Sequence, residues 1–242
     1  RRARPTARGQ AARPRHVPAL LGRVASTTTT SSTASMRSDD DLSAALTPEL
    51  CEGARAWLAA PAKRITKAES TTTLFVLEGS WAAVPRDSAH LEWIGTDDAT
   101  TCHCIALVSP THVAVSHLND AAPAEQNLRD MVEAVKEGAP VPVTAPIELW
   151  VAGGMGGAGV PADVTQLSLE TSAAVLEALE TVRRASRGAP VVLRLACIGH
   201  LNATAADGCP ACRGLCVNLR SGAVVRADFD DEYADVWPRT PG

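Results

Sequence analysis

The sequence predicts an α+β or mixed α/β sandwich in which helices flank a mixed β-sheet. Two pairs of apolar runs are each joined by a three-residue turn, at residues 109–111 and 220–222, as in β-hairpins. Three longer stretches carry apolar residues at helical spacing. Because the paired runs are flanked by these stretches and no internal repeat is present, a layered domain of sheet and helices follows.

The first helix is predicted at residues 48–60. Thr47 offers a capping hydroxyl, and Pro48 stands in the first turn, where its missing N–H removes no helical hydrogen bond. Apolar residues follow at helical spacing, and Pro61 ends the pattern. This combination is typical of an amphipathic helix that packs on a core.

Short apolar runs bounded by polar or turn residues predict the strands. These runs are residues 74–77, 81–84, 91–94, 104–108, 112–115, 147–152, 191–198, 215–219 and 223–227. Only 3% of the chain is aromatic, so the core between these strands must be built mainly from Val, Leu, Ile and Ala.

Two more helices are predicted in the second half. Residues 124–137 place four apolar side chains on one helical face, and Gly138 with Pro140 stops the helix. Residues 167–184 form the longest helical stretch. The glycine-rich segment 153–161 precedes it and is interpreted as a loop.

Charge and composition exclude several classes of partner. The formal net charge is -4 and the pI about 5.9, which gives no reason to expect nucleic acid or anionic lipid. No apolar run reaches the length needed to cross a bilayer, so no membrane partner is expected. Hydrophobic and charged contents of 45% and 21% are ordinary for a globular protein.

The N-terminal segment differs in composition from the rest. Residues 1–38 are rich in Arg, Ser and Thr and contain no acid, as in an organelle transit peptide. The alternatives are a disordered tail, or translated upstream sequence ahead of a start at Met36. The first residue, Arg1, suggests an incomplete gene model or a processed chain.

Seven cysteines and no secretory signal favour a reducing compartment, and we expect a cytoplasmic or nuclear protein. Cys197, His200, Cys209 and Cys212 have the spacing of a zinc site. Cys197, however, falls in an apolar strand, where a small buried thiol is the default. We therefore predict no metal.

Residues 154–159 match the G-x-G-x-x-G pattern of dinucleotide-binding loops. Pro161 and Thr165 delay the following helix, however, and no acidic strand end follows at the proper distance. A loop near the active site is the preferred interpretation, and no cofactor is predicted.

The segment 95–102, Gly-Thr-Asp-Asp-Ala-Thr-Thr-Cys, carries the most chemical information. It places Cys102 at a strand start after a polar loop. A thiol needs a neighbouring base to supply thiolate at neutral pH. His117 lies on the returning strand of the hairpin and can provide one, whereas His103 should face the other side of the sheet.

This octapeptide resembles the signature of the protein N-terminal asparagine amidohydrolase family. Further stretches resemble the family in order along the chain, and the resemblance covers residues 72–229. These stretches are residues 114–117, 148–154, 199–202, 209–210 and 217–229.

The resemblance implies a Cys–His–hydroxyl site on a fold similar to the bacterial chemotaxis-receptor deamidases and the cytotoxic deamidase toxins. Carried over by position, Cys102 is the nucleophile, His117 the base, and Thr96 the hydroxyl that orients the imidazole. The expected reaction hydrolyses an N-terminal Asn side chain to Asp through a thioester. Its substrates are proteins or peptides with N-terminal Asn, and its product feeds N-degron turnover.

A free α-ammonium beside the carboxamide must also be recognised. We place Asp97, Asp98 and Thr101 in the substrate-binding site, since a carboxylate–ammonium hydrogen bond is among the stronger available contacts. The alternative is that the two aspartates cap the loop or bind backbone amides.

The resemblance also implies a substantial portion beyond Phe229, which this chain lacks. We therefore expect a disordered or transit-like segment at 1–45, a catalytic domain at 46–230 and a tail at 231–242. Two other functions remain open: deamidation of internal Gln or Asn, and binding without catalysis by a truncated or zinc-stabilised module.

Overall fold

The computed structural model describes residues 20–23, 46–137, 145–156, 160–185, 189–203 and 209–230 of the 242-residue chain. Two expected segments lie outside this described part. They are the tail 231–242 and, except for residues 20–23, the whole N-terminal segment 1–45, which includes the serine- and threonine-rich run 26–38.

Three α-helices lie in the described part: α1 (Pro48–Ala59), α2 (Ala124–Glu137) and α3 (Ala162–Ala185). The predicted start of α1 is confirmed, since the Thr47 hydroxyl accepts the N–H of Leu50 at 3.4 Å. The predicted bounds of α2 are confirmed at both ends. None of the described helices is both long and apolar enough to cross a bilayer.

Helix α3 begins five residues before the predicted start at Leu167. The carbonyl of Pro161 accepts the N–H of Thr165 at 3.0 Å, which closes the first turn. Pro161 therefore precedes the helix at a position that proline tolerates, and it does not delay the helix as the sequence suggested.

Eleven strands lie in the described part. They are β1 (Leu20–Arg23), β2 (Lys63–Ile65), β3 (Thr73–Phe75), β4 (Ser80–Pro85), β5 (Trp93–Thr96), β6 (His103–Val108), β7 (His112–Leu118), β8 (Ile147–Gly153), β9 (Val191–Ile198), β10 (Leu215–Asn218) and β11 (Val224–Phe229). Both predicted hairpins, β6–β7 and β10–β11, are confirmed.

The strands form two mixed sheets, which confirms an α+β architecture. The six-stranded sheet has the order β1-β4-β7-β6-β8-β9, and only its β8–β9 pair is parallel. The five-stranded sheet has the order β2-β11-β10-β5-β3, with parallel pairs at both edges. Strand β2 was not predicted because three residues are too few to show a period.

Two strands differ from prediction in ways that matter for the site. Strand β5 was predicted at 91–94 but lies two residues later, because its residues 93–96 pair with β10. The apolar run that predicted strand β7 stops at Val115, but the strand continues through His117, where the returning strand was expected to end, to Leu118, because it pairs with both β4 and β6. Thr96 and His117 therefore both lie inside strands.

The two faces of the six-stranded sheet have different neighbours. On one face, Asn127 of α2 donates to the hydroxyl of Ser116 at 3.1 Å. On the other face, His117, the next residue along β7, contacts Thr96 of the five-stranded sheet at 2.9 Å. Because alternate strand residues point to opposite faces, the six-stranded sheet lies between a helical layer and the second sheet.

The core confirms the aliphatic composition expected from the sequence. The largest fully buried side chains are Ile65, Ile94, Ile105, Leu107, Leu118, Leu128, Met131, Ile147, Leu149, Ile198 and Leu215. All of these belong to one buried cluster except Ile65, which packs in a second cluster of the five-stranded sheet. Their burial supplies the main favourable free energy of folding.

Candidate active site

Residues 97–102 connect the two sheets of the sandwich. They leave the five-stranded sheet after Thr96, the last residue of β5, and enter the six-stranded sheet at His103, the first residue of β6. Because this loop crosses between the layers, polar residues near Cys102 lie beside the strand ends of both sheets.

The imidazole of His117 is held in one tautomer by Thr96. The Thr96 hydroxyl donates its single proton to the carbonyl of Val76 at 2.8 Å. The same oxygen lies 2.9 Å from His117 Nδ1, so Nδ1 must be the donor in that contact. A neutral imidazole protonated on Nδ1 carries its free lone pair on Nε2.

The Nε2 atom of His117 is buried and has no hydrogen-bond partner in the described part of the chain. Burial lowers the pKa of His117, and the carboxylate of Glu78 partly opposes that shift. The ring is therefore neutral near pH 7, with an unused lone pair in a protected position. This is the state that a general base requires.

Cys102 lies on the same side of the sheet as His117. Cys104 is directly opposite His117 in the β6–β7 ladder. Cys102 is two residues before Cys104, so its side chain points to the same face of the sheet. Diagonal neighbours of this kind have Cα atoms about 7–8 Å apart. No hydrogen bond joins the Cys102 sulfur to the imidazole among the described residues, so closing the contact requires a side-chain movement.

The environment of Cys102 favours the thiol over the thiolate. The residue is only 9% exposed. Burial raises its pKa, the Glu78 carboxylate raises it further, and the Thr101 side chain has a smaller opposite effect. Since His117 is neutral as well, the resting site holds a thiol and an imidazole rather than an ion pair.

The loop before β6 presents unused backbone donors. In the part of the chain that the structure describes, the N–H groups of Thr100, Thr101 and Cys102 donate to no other residue, and that of Cys102 lies beside its own sulfur. The preceding N–H, that of Ala99, is bound by the carbonyl of Arg213 at 2.8 Å. Free N–H groups next to a nucleophile can stabilise an oxyanion.

Asp97 ties the loop to the strand β11. Its Oδ1 accepts the N–H of Asp98 at 2.6 Å, and its Oδ2 accepts the N–H of Phe229 at 2.7 Å. Asp98 has a left-handed backbone, with φ of 65°, and forms an exposed ion pair with Arg213. The predicted role of both aspartates in substrate binding is not tested by these contacts and stays a prediction.

Gly153, the last residue of β8, packs against the backbone of the nucleophile segment. The N–H of the following residue, Gly154, donates to the carbonyl of Cys102 at 2.9 Å. A Cβ on Gly153 would lie 2.3 Å from that carbonyl oxygen and 2.7 Å from His103 Cα. A Cβ on Gly154, the first glycine of the G-x-G-x-x-G run, would lie 2.6 Å from Ser168 Oγ. Close packing thus accounts for Gly153 and Gly154; residues 157–159 of the run lie outside the described part.

Replacing Gly153 with Ala is expected to destabilise the protein. Both atoms that the new Cβ would meet belong to the backbone, and φ is 144° at this position. Overpacking of a well-packed site costs about 1–3 kcal/mol, so the thermal unfolding midpoint should fall. The matched control is Gly53→Ala in α1, where nothing lies within 4 Å and a small stabilisation is expected. Equal midpoints for Gly153→Ala and the parent would contradict the close contact.

His103 faces the helical layer, as predicted. Its Nε2 lies 2.7 Å from the hydroxyl of Ser172 on α3. Its pKa is lowered to about 3, mainly by complete burial and to a smaller extent by the nearby His117. It therefore stays neutral and lies on the wrong side of the sheet to act on Cys102.

The residues considered for zinc do not form a metal cluster within the described ranges. The Cys197 thiol donates to the carbonyl of Leu201 at 3.6 Å, and the Cys212 thiol donates to the carbonyl of Gly214 at 3.1 Å. Burial raises the pKa of both thiols, that of Cys212 to about 12. Metal binding requires thiolates, so these two residues fit the interpretation of buried structural thiols.

Glu78 is the site residue that the sequence did not single out. Its carboxylate raises the pKa of both Cys102 and His117. It lies in the turn before β4, outside the 95–102 segment, and no local motif marks it. Only the pairing of β4 with β7 brings it to the site.

Comparison with protein-family models matches residues 63–238 to the family described as protein N-terminal asparagine amidohydrolase. The matched stretch is well over half of the chain and contains every residue placed at the site above. A comparison with individual curated proteins finds no significant match.

Proposed function

The chain belongs to the protein N-terminal asparagine amidohydrolase family, and on that premise we propose that it deamidates N-terminal Asn with Cys102 as the nucleophile. The family consists of hydrolases that act on amides. The observation that carries the proposal is the His117 imidazole, which has a fixed tautomer and a free buried Nε2 on the same sheet side as Cys102.

In the first step, His117 Nε2 takes the thiol proton of Cys102, and the sulfur attacks the carboxamide carbon of the substrate. The carbonyl oxygen becomes an oxyanion, which the free N–H groups of Thr101 and Cys102 stabilise. The imidazolium formed on His117 keeps its Nδ1–H donated to Thr96. This geometry holds the ring in place while its charge changes.

In the second step, the carbon–nitrogen bond breaks and the imidazolium gives its proton to the leaving nitrogen, which departs as ammonia. A thioester with Cys102 remains. Water, deprotonated by His117, then attacks the thioester carbon, and the sulfur leaves and is reprotonated. The product carries Asp at its N-terminus, and the enzyme returns to its thiol–imidazole state.

The proposal also covers the type of site, the substrates and the fate of the product. The arrangement of Cys102, His117 and Thr96 is of the chemotaxis-receptor deamidase type. The substrates are proteins or peptides with N-terminal Asn, bound with help from Asp97, Asp98 and Thr101. Conversion of Asn to Asp at the N-terminus feeds N-degron turnover in the cytoplasm or nucleus.

The proposal predicts that the chain releases ammonia from an Asn-initiated peptide, with the mass gain that replacement of a side-chain NH2 by OH produces. An N-acetylated version of the same peptide should react far more slowly, because its ammonium is missing. Ammonia release and mass spectrometry on both peptides measure the result.

The outcome separates the alternatives. Equal turnover of free and acetylated peptides would indicate deamidation of internal Asn or Gln instead. Binding of the free peptide without ammonia release would indicate a binding-only module. An Asp-initiated peptide is the control, since it has no carboxamide to hydrolyse.

A further inference from the structure

N-terminal selectivity requires a negative group at a fixed distance from the nucleophile. In an N-terminal Asn, three covalent bonds separate the carboxamide carbon from the α-nitrogen, a span of about 3–4 Å. A charge-assisted hydrogen bond adds about 2.8 Å. The carboxylate that binds the ammonium must therefore lie within about 7 Å of the carbon that Cys102 attacks.

The two aspartates of the loop already have partners. Both oxygens of Asp97 accept backbone N–H groups, at 2.6 and 2.7 Å, so its orientation is set by the loop and by β11 and about half of its acceptor sites are used. Asp98 is paired with the guanidinium of Arg213. An ammonium would have to compete with these contacts.

Glu78 occupies a different position, over the end of β7. The residue after it, Gly79, has a φ of 66° and donates its N–H to the carbonyl of His117 at 2.9 Å. The Glu78 carboxylate accepts a hydrogen bond from the side chain of Asn119 at 3.3 Å. In the β6–β7 register, position 119 is the one opposite Cys102.

The turn that carries Glu78 therefore lies beside the strand ends that hold both proposed catalytic side chains. The Glu78 side chain is exposed, and in the described part of the chain it forms no salt bridge. Its charge raises the pKa of Cys102 and opposes the lowering of the His117 pKa. The tight turn at Gly79 and the contact with Asn119 set its direction.

We infer that Glu78 is the residue that binds the α-ammonium of the substrate, and so makes the site selective for N-terminal Asn. This inference rests on the proposed function. A bound ammonium would also offset the Glu78 charge, which otherwise disfavours the thiolate of Cys102. The free amine would thus assist both binding and formation of the nucleophile.

The test compares two peptides that differ only in the amine. One begins with Asn, and the other begins with a succinamoyl group, which has the same carboxamide but hydrogen in place of the α-amine. The variants are Glu78→Gln, Glu78→Asp and Asp98→Asn. The matched control is Glu170→Gln on α3, an exposed carboxylate in the helical layer that also accepts a side-chain amide hydrogen bond, from Gln166 at 2.9 Å. Binding is measured by calorimetry in a Cys102→Ala background, and kcat/KM is measured with Cys102 intact.

Glu78→Gln is expected to weaken binding of the Asn peptide about 10- to 100-fold, the range for loss of a hydrogen bond between charged groups. Its kcat/KM for the Asn peptide should fall at least as much. For the succinamoyl peptide, binding should stay close to that of the parent and kcat/KM should not fall, since loss of the Glu78 charge no longer disfavours the thiolate. Glu78→Asp, which keeps the charge, should retain part of the preference for the amine. The control Glu170→Gln should leave that preference unchanged.

Three results would overturn the assignment of Glu78. The first is an equal loss on both peptides, which indicates a structural role, and the second is an amine-specific loss in Asp98→Asn instead. The third is a parent protein, with Glu78 intact, that binds and hydrolyses the two peptides equally well. Amine-selective binding through Glu78 without ammonia release would contradict the proposed function but support the assignment.

Discussion

Replacing Cys102 with Ala is expected to lower kcat/KM for an Asn-initiated peptide by at least about 10,000-fold, as removal of a covalent nucleophile does in other hydrolases. The remaining thiols cannot substitute for it. Cys104, the nearest on the same strand, is 1% exposed, and its thiol donates to the carbonyl of Arg213 at 3.7 Å. Burial raises its pKa well above the ordinary value.

The matched control is Cys104→Ala, which removes a thiol two residues away and should keep most of the activity. Thermal unfolding of both variants shows whether the fold is retained. Mass spectrometry of the parent mixed with substrate and quenched in acid should detect an acyl group on Cys102. Activity in a folded Cys102→Ala variant equal to that of the parent would end the proposed mechanism.

Replacing His117 with Ala is expected to lower kcat/KM by about 100- to 10,000-fold, the range for a general base. Thr96→Val should have a smaller effect of about 10- to 100-fold, because it leaves Nδ1–H unpaired in a buried site and no longer fixes the tautomer. Thr96→Ser should keep most of the activity. Since the Thr96 side chain is fully buried, the thermal midpoint of each variant is measured beside its rate.

The control is His112→Ala, at the other end of β7, where Nδ1 contacts only the hydroxyl of Thr111 at 3.1 Å. Little change in rate is expected there. If His117→Ala and His112→Ala reduced the rate equally, the imidazole of His117 would have no special role in proton transfer.

The same geometry determines the pH dependence. Burial lowers the pKa of His117 below 6.5, and the base acts only when Nε2 is unprotonated. As pH falls, kcat/KM of the parent should therefore decline with a midpoint lower than the pKa of an ordinary histidine. A midpoint of the acid limb above that of an ordinary histidine would contradict a buried, neutral His117 as the base.

The segments that sequence predicted well are those whose own residues determine their conformation. Helix α1 starts where Thr47 caps it, and α2 ends before Gly138. The strand β9 matches its predicted bounds because seven of its eight residues are apolar, a run long enough to predict a buried strand. The start of α3 was mistaken because Pro161 can either delay or initiate a helix, and only the contact with Thr165 decides between these.

The site residues also fall into those that local sequence predicts and one that only the structure reveals. The octapeptide at 95–102 identified Cys102 and its family, and the hairpin pattern pointed to His117, since both are properties of neighbouring residues. The role of Glu78 escaped detection because it lies 24 residues before Cys102 in the chain. Its approach depends on β4 pairing with β7, a contact between distant segments.

By itself, the sequence determined the aliphatic core, the two hairpins, the family and the candidate nucleophile. The tertiary structure decided that β5 belongs to the second sheet, so that Thr96 reaches across the sandwich to His117 and fixes its tautomer. It also shows that Asp97 accepts two backbone N–H groups and that the turn of Glu78 lies beside the end of β7. The physical reason is that hydrogen bonds between distant strands depend on sheet order and register, which follow from the packing of the whole domain and not from any local pattern.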